Sequence, residues 1–354
     1  MLGACADQAP PRVGVIVSSA PGRAAGLAAG EQRAGERGHF EAVIATPASS
    51  ATGAEQAIAQ ANAFVTDPRV VAVVGHSNSA SSLAASQIYN SAGLVQIAPT
   101  TTAPVYGQAG PFSFRLVPSD TLQAAYLAKA LRHHWPGSRI AVVHVNDDYG
   151  RGLLRVLRPQ VDSVVFEGLY ADGADSTDVM RLRSEIADSR PDALVWLGRP
   201  GTLGMMLPSL RAVLPDIAVV CADACDVAAV YSNSAGLFTG LHFVRFLDPA
   251  SPDSAMRAFQ VRYREQTGEV ASSEALLTYD AVSLVRAALR DGARTRDEVR
   301  EYLRSLGAAR PAFEGITGRI EFDASGAFVR TYGLAEVRAT GVVPAEHARH
   351  GYGR

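Results

Sequence analysis

The sequence predicts an α/β fold built as two lobes, each discontinuous in sequence. Three observations carry that reading: short β-branched apolar runs, amphipathic stretches between them, and a repeat of the whole alternation along the chain. The runs are Val13–Val17, Val70–Val74, Leu94–Ile97, Ile140–Val145, Val164–Phe166, Ala193–Leu197 and Ile217–Val220. Continuous apolar runs of this length suit parallel strands covered on both faces.

Helical patterns separate the runs. Ala57, Ile58, Ala61, Phe64 and Val65 form one face of a helix that ends before Asp67-Pro68. Asp120 reads as an N-cap for a helix carrying Ala124, Ala125, Leu127, Ala128 and Leu131, stopped by Trp135-Pro136. Ser273–Leu289 is a further long amphipathic segment. Alternating strand and helix imply right-handed crossovers.

One series of alternation runs from Val13 to about Arg115, and a second from Ile140 to about Val244. Leu116–Asp120 and Phe246–Ser251, each with a proline, are the expected passages between lobes. Two helical segments follow, then strands over Gly315–Phe322 and Arg330–Val337. The expected division is a tether over 1–11, a first lobe of 12–118 plus 249–325, a second lobe of 119–248 plus 326–343, and a polar tail over 344–354. In open α/β sheets, ligands gather beyond the carboxyl ends of strands, so two such lobes point to a site in the cleft between them.

Composition removes several functional classes. With 33 basic against 35 acidic residues and a net charge of -2, the chain lacks the basic face that nucleic acid requires. Lys129 is the sole lysine. No run of about 18 apolar residues is present to span a bilayer. No Walker A loop, dinucleotide glycine fingerprint, HExxH or paired metal motif occurs, so no cofactor and no metal are expected. His133 and His134 are adjacent on a helix and point apart, and His347 and His350 lie in the tail.

Three cysteines exclude a disulfide-dense scaffold. Leu2-Gly3-Ala4-Cys5, followed by a polar, proline-rich stretch, resembles a bacterial lipobox, which makes Cys5 a lipidation candidate. Cys221 and Cys225, four apart, are open to two readings: a local disulfide in an oxidising compartment, or two small buried thiols. Two thiols alone make a poor zinc site.

Several segments, in order, resemble the type I periplasmic binding proteins, in particular the leucine/isoleucine/valine-binding receptors of ABC transporters. They are Val70–Val74 with Gly75-His76-Ser77-Asn78-Ser79-Ala80-Ser81-Ser82, then Gly93–Ala98 with Pro99-Thr100-Thr101-Thr102-Ala103-Pro104, then Phe114-Arg115 through Asp120. Ile140–Val145 with Asp148-Tyr149-Gly150-Arg151-Gly152, Tyr279-Asp280-Ala281-Val282, and Gly318–Gly326 complete the match, which spans about 12 to 340. The resemblance implies two Rossmann-like lobes with parallel-rich sheets, joined by three crossover segments around a ligand cleft. It implies an extracytoplasmic receptor without catalytic residues, which closes on an amino acid or similar small polar ligand and docks on a membrane permease.

By the same resemblance, Ser79, Thr101 and Thr102 hold the ligand carboxylate, Tyr149 joins from the second lobe, and Asp223 meets the ammonium. A serine where a loop enters a helix suits an anion, and a carboxylate facing an ammonium makes a charge-assisted bond. The sequence also departs from the family. Ser18–Arg23 lacks the usual aromatic residue, Thr46-Pro47 replaces an acid, and Arg199 stands near a position often aromatic. An arginine facing a leucine side chain would be desolvated without a partner, so Arg199 predicts a ligand more polar than leucine.

Two other readings compete. Gly75-His76-Ser77-Asn78-Ser79 after a strand resembles the nucleophile elbow of α/β-hydrolases, with Ser77 as nucleophile and His347 late in the chain. Against it, Ser79 and Ala80 stand where strand and helix must approach closely. A sensory ligand-binding domain, signalling to a partner instead of delivering cargo, fits the same two-lobed plan.

Overall fold

A computed structural model describes residues 9–16, 24–26, 28, 38–45, 53–247, 253–328 and 332–345. Two main sheets organise it. The first has five parallel strands in the order β2-β1-β3-β4-β5: β1 Arg12–Ile16, β2 Glu41–Ala45, β3 Val70–Gly75, β4 Val95–Ala98 and β5 Ser113–Arg115. The second has seven strands in the order β14-β13-β10-β9-β8-β6-β7. Its parallel part is β6 Ile140–Val145, β7 Val164–Tyr170, β8 Ala193–Leu197, β9 Ala218–Cys221 and β10 Leu241–Arg245. β13 Gly333–Arg338 and β14 Gly341–Pro344 add antiparallel at one edge. A hairpin of β11 Phe313–Gly315 and β12 Gly318–Ile320 packs beside the first lobe.

The central strands β3, β6 and β8 are buried along their whole length, as their unbroken apolar runs require. β7 sits at a sheet edge and alternates between exposed and half-buried residues. The apolar run that marks it, Val164–Phe166, is therefore shorter than the strand. Each sheet nucleates its own core. Val74, Ile97, Phe114 and Leu284 belong to one, and Val143, Trp196, Val220 and Phe243 to the other.

The chain passes between lobes three times. The first passage, after β5, is tied down by Arg115, whose guanidinium donates to the carbonyls of Ala103 at 2.9 Å and Thr102 at 3.3 Å. The Asp120 amide reaches back to the Thr102 carbonyl at 2.8 Å. The second follows β10. The third lies between Phe328, packed in the first core, and Tyr332, packed in the second. The Tyr332 hydroxyl donates to the Pro118 carbonyl at 3.1 Å, which binds the third passage to the first.

Two local expectations change. Ser119, not Asp120, is the N-cap of the helix Asp120–His134; Asp120 lies in its first turn, fully buried, and accepts from Gln123 Nε2 at 3.2 Å. Three helices, not two, follow the second passage: Ser254–Thr267, Ser273–Arg290 and Arg296–Ser305. The third has little apolar signal, burying only Val299, Tyr302 and Leu303. Its start is a capping box in which Thr295 and Glu298 bond each other's backbone amides.

Candidate functional site

A cavity of about 290 Å³ opens between the lobes. The first lobe contributes Ser77, Asn78, Ser79 and Thr100 from the loops after β3 and β4, and Ser273 and Glu274 from the start of a helix. The second contributes Tyr149, Arg199, Asp223 and Asp226 from the loops beyond the carboxyl ends of β6, β8 and β9. Val227, Pro200, Ala224 and Phe246 supply apolar surface, and Asp172 stands at an exposed rim position.

The part of the first-lobe wall formed by Ser77, Asn78, Ser79 and Thr100 is rich in donors, and Glu274 adds a carboxylate beside it. Asn78 caps the helix Ser79–Ser91, its Oδ1 accepting the Ser81 amide at 2.8 Å. Ser79 is therefore the first helical residue, where free amides and the helix dipole favour an anion. Of the two threonines expected here, neither lines the cavity. The Thr101 hydroxyl turns inward to Ser82 Oγ at 2.6 Å, and Thr102 is buried at the first passage, its carbonyl engaged by Asp120 and Arg115. Thr100 takes the wall position instead, its hydroxyl donating to the Ser77 carbonyl at 3.0 Å.

The second-lobe wall is a linked polar assembly. Asp147 caps the helix Asp148–Leu157 by accepting the Gly150 amide at 2.8 Å through Oδ1. Its Oδ2 accepts from Arg199 at 2.8 Å. A side chain at Gly150 would run into the Val145 carbonyl, so glycine there lets this helix start directly against the end of β6. Arg199 lies over the Tyr149 ring at 5.3 Å, and the Tyr149 hydroxyl donates to Asp223 Oδ1 at 2.8 Å. Burial works against the Arg199 charge, but Asp147, with help from Tyr149 and Asp172, outweighs it. The guanidinium is thus already paired.

The carboxyl groups are held under tension. Burial raises the Asp223 carboxyl above its usual range, while the hydrogen bonds from Tyr149 and Gln123 and the Arg199 charge pull it back. Asp120, deeper still, is raised by burial and by the nearby Asp223 charge. Asp226 is pushed up to about 7, chiefly by burial. Its Oδ2 accepts from Ser273 Oγ at 2.5 Å, a direct bond from one lobe to the other. A wall of carboxyls that resist ionising alone favours a ligand that brings a positive charge.

A helix start rich in donors faces buried carboxyls across a cleft between two sheet lobes, an arrangement suited to trapping a small solute. The family described as periplasmic binding protein matches residues 14–342. The chain belongs to that family. As a periplasmic binding protein it captures a solute between its lobes and is not an enzyme.

Among the relatives of this binding protein is the leucine-, isoleucine-, valine-, threonine- and alanine-binding protein of Pseudomonas aeruginosa, 27% identical over 283 residues, covering 77% of this chain and 72% of the relative. A branched-chain amino acid transporter substrate-binding protein from Streptococcus pneumoniae, solved with isoleucine, shares the fold with a TM-score of 0.83 at 23% identity, over 94% of this chain and 97% of that one. An ABC transporter substrate-binding protein from Desulfitobacterium hafniense, solved with leucine, has a TM-score of 0.75 at 26% identity, over 94% and 99%.

Membership of this family, together with the environment of Ser77, speaks against a hydrolase. Ser77 does line the cavity, but the neighbouring His76 is buried, its ring nitrogen 3.5 Å from the Tyr89 hydroxyl, and burial lowers its pKa to about 4. No histidine lines the cavity among the described residues. His347 lies outside them, as do Cys5, the loop Ser18–Arg23 and Thr46-Pro47.

Of the six ligand positions read from sequence, Ser79, Tyr149, Arg199 and Asp223 meet at the cavity. Asn78, Thr100, Asp226, Ser273 and Glu274 went unread. Ser272 caps the helix of Ser273 and Glu274 by accepting the Ala275 amide at 3.4 Å. The amphipathic segment Ser273–Leu289 marks that helix start, but nothing in it shows that the start faces the other lobe.

Proposed function

We propose that this periplasmic binding protein captures an α-amino acid with an uncharged side chain and delivers it to an ABC permease. The observation that carries the reading is the polarity of the two walls. A helix start with Ser77, Asn78 and Ser79 suits a carboxylate, and Asp223 with Tyr149 suits an ammonium. An α-amino acid presents those two charges on adjacent groups. Relatives that bind leucine or isoleucine support the same class.

The side chain then falls among Pro200, Ala224, Val227, Phe246 and the paired Arg199. Because Asp147 already neutralises Arg199, the guanidinium does not demand an acidic partner. This weakens the sequence argument for a ligand more polar than leucine. A micromolar ligand corresponds to about -8 kcal/mol, within reach of a few charge-assisted bonds in a closed cleft.

Leu2-Gly3-Ala4-Cys5 supports attachment to a membrane through a lipidated Cys5, which would keep the receptor near its permease. Reading the gene upstream of Met1 for a basic and apolar leader tests the anchor.

A thermal-shift screen of leucine, isoleucine, glutamine, glutamate and small aromatic acids tests the ligand class. At 100 times its dissociation constant, the right ligand adds about 2.7 kcal/mol. Stabilisation by an aromatic acid but by no amino acid would overturn the reading.

A further inference from the structure

We propose that the disulfide between Cys221 and Cys225 is a positioning element of the binding site, which holds the loop carrying Asp223 and Asp226 in its ligand-ready shape. The inference concerns the site read above as an amino-acid cleft, and its affinity arm rests on that reading.

Cys221 ends β9, and Cys225 closes a ring of five residues, with Cα atoms 6.1 Å apart. Asp223 and Ala224 lie inside the ring, and Asp226 and Val227 follow it directly; all four line the cavity. Most of the second lobe's wall next to the ammonium position is therefore one short segment. No strand pairing extends past Cys221 on this loop. Beyond Cys221 the segment is held by short-range turn bonds from Asp223 to Val227 and by side-chain contacts: Asp223 amide to Gln123 Oε1 at 3.0 Å, Ala224 amide to Tyr149 Oη at 3.4 Å, Tyr149 Oη to Asp223 Oδ1 at 2.8 Å and Ser273 Oγ to Asp226 Oδ2 at 2.5 Å.

A ring this small removes little chain entropy from the unfolded protein, so its effect on global stability is modest compared with a bridge closing a long loop. Its effect on the loop is direct. Without the bridge, the segment keeps its hydrogen bonds but gains freedom between Cys221 and Cys225, and re-ordering it on ligand binding subtracts from affinity. Both sulfurs are fully buried, so the bridge serves as a standing clamp.

The experiment compares the native chain with Cys221→Ala/Cys225→Ala, and with Cys221→Ser/Cys225→Ser as a second pair. Amide hydrogen exchange is measured without ligand. L-leucine affinity is measured by calorimetry, and thermal melting is followed alongside. The expected result is exchange at least tenfold faster at Asp223, Ala224 and Asp226 with β8 unchanged, leucine at least tenfold weaker, and a melting temperature within a few degrees of native. Unchanged loop exchange in both pairs overturns the proposal. So does a failure of both pairs to fold, since the bridge would then hold the lobe as a whole. If the native chain does not bind leucine, the amino-acid reading is in question, and the exchange measurement alone decides for or against the clamp.

Discussion

Ser273, at the start of a first-lobe helix, donates a 2.5 Å hydrogen bond to Asp226 of the second lobe. The bond runs directly from one lobe to the other. It also places the Asp226 carboxyl at the positive end of the helix Ser273–Arg290. A bond at this place ties the two lobes together in the conformation described.

Removing that bond should loosen the closed state. For Ser273→Ala we expect a more open ligand-free ensemble, seen as a larger radius of gyration in solution scattering. Ligand dissociation should be about fivefold to tenfold faster, matching the roughly 1 kcal/mol of a typical hydrogen bond. Scattering curves and dissociation rates identical to native would show that the bond does not bear on closure.

Asp226 also makes the fold sensitive to pH. Burial pushes its carboxyl up to about 7 in the folded protein, from an ordinary value of 3.8. The folded state thus binds more protons between those values, and this group's contribution to stability falls as pH rises through that window. Three pH units correspond to on the order of 4 kcal/mol. Ser273, Tyr231 and Arg245 oppose the upward shift and Asp223 adds to it. Denaturant melts at pH 5 and pH 8 should show Asp226→Asn gaining stability relative to native at the higher pH. An equal difference at both values would refute the assignment.

Asp223 should carry the ammonium. Asp223→Asn is expected to weaken amino-acid binding by roughly 10- to 100-fold, the 1.5–3 kcal/mol of a hydrogen bond to a charged group. Tyr149→Phe should cost less, since it removes only the hydroxyl that orients Asp223 at 2.8 Å. Because burial raises the Asp223 carboxyl, native affinity should also fall on acidification, as the carboxylate that meets the ammonium is lost. Calorimetry across pH 5–8 measures both effects.

Asp147 should govern side-chain selectivity. It pairs with Arg199 at 2.8 Å while capping the helix of Tyr149. In Asp147→Asn the side-chain oxygen can keep the cap, but the guanidinium loses its counter-charge. Glutamate should then gain on leucine by about tenfold, and Arg199→Ala added to that variant should abolish the gain. Competition binding reads the ratio directly, and no change in it would place Arg199 outside the side-chain pocket.

Strand runs such as Val70–Val74 and Ile140–Val145 were legible because a strand buried on both faces must be apolar throughout. Ser79 and Tyr149 were implied by the family resemblance, and each does lie shortly after a strand end, at the start of a helix. The helix Arg296–Ser305 was not legible, since a surface helix held by a capping box leaves only three buried residues as its signal.

The sequence by itself determined the two-lobed α/β plan, and its resemblance to the binding-protein family implied Ser79, Tyr149, Arg199 and Asp223 as site positions near strand ends. Those features depend on local periodicity and on motif order, which a linear chain records. Tertiary structure decided what those residues do together. It turned Thr101 toward Ser82 and brought Thr100 to the wall. It also paired Arg199 with Asp147, 52 residues away, and set Ser273 against Asp226, 47 residues away. Hydrogen bonds and ion pairs at such separations leave no periodic trace, because each depends on how two lobes and several loops pack.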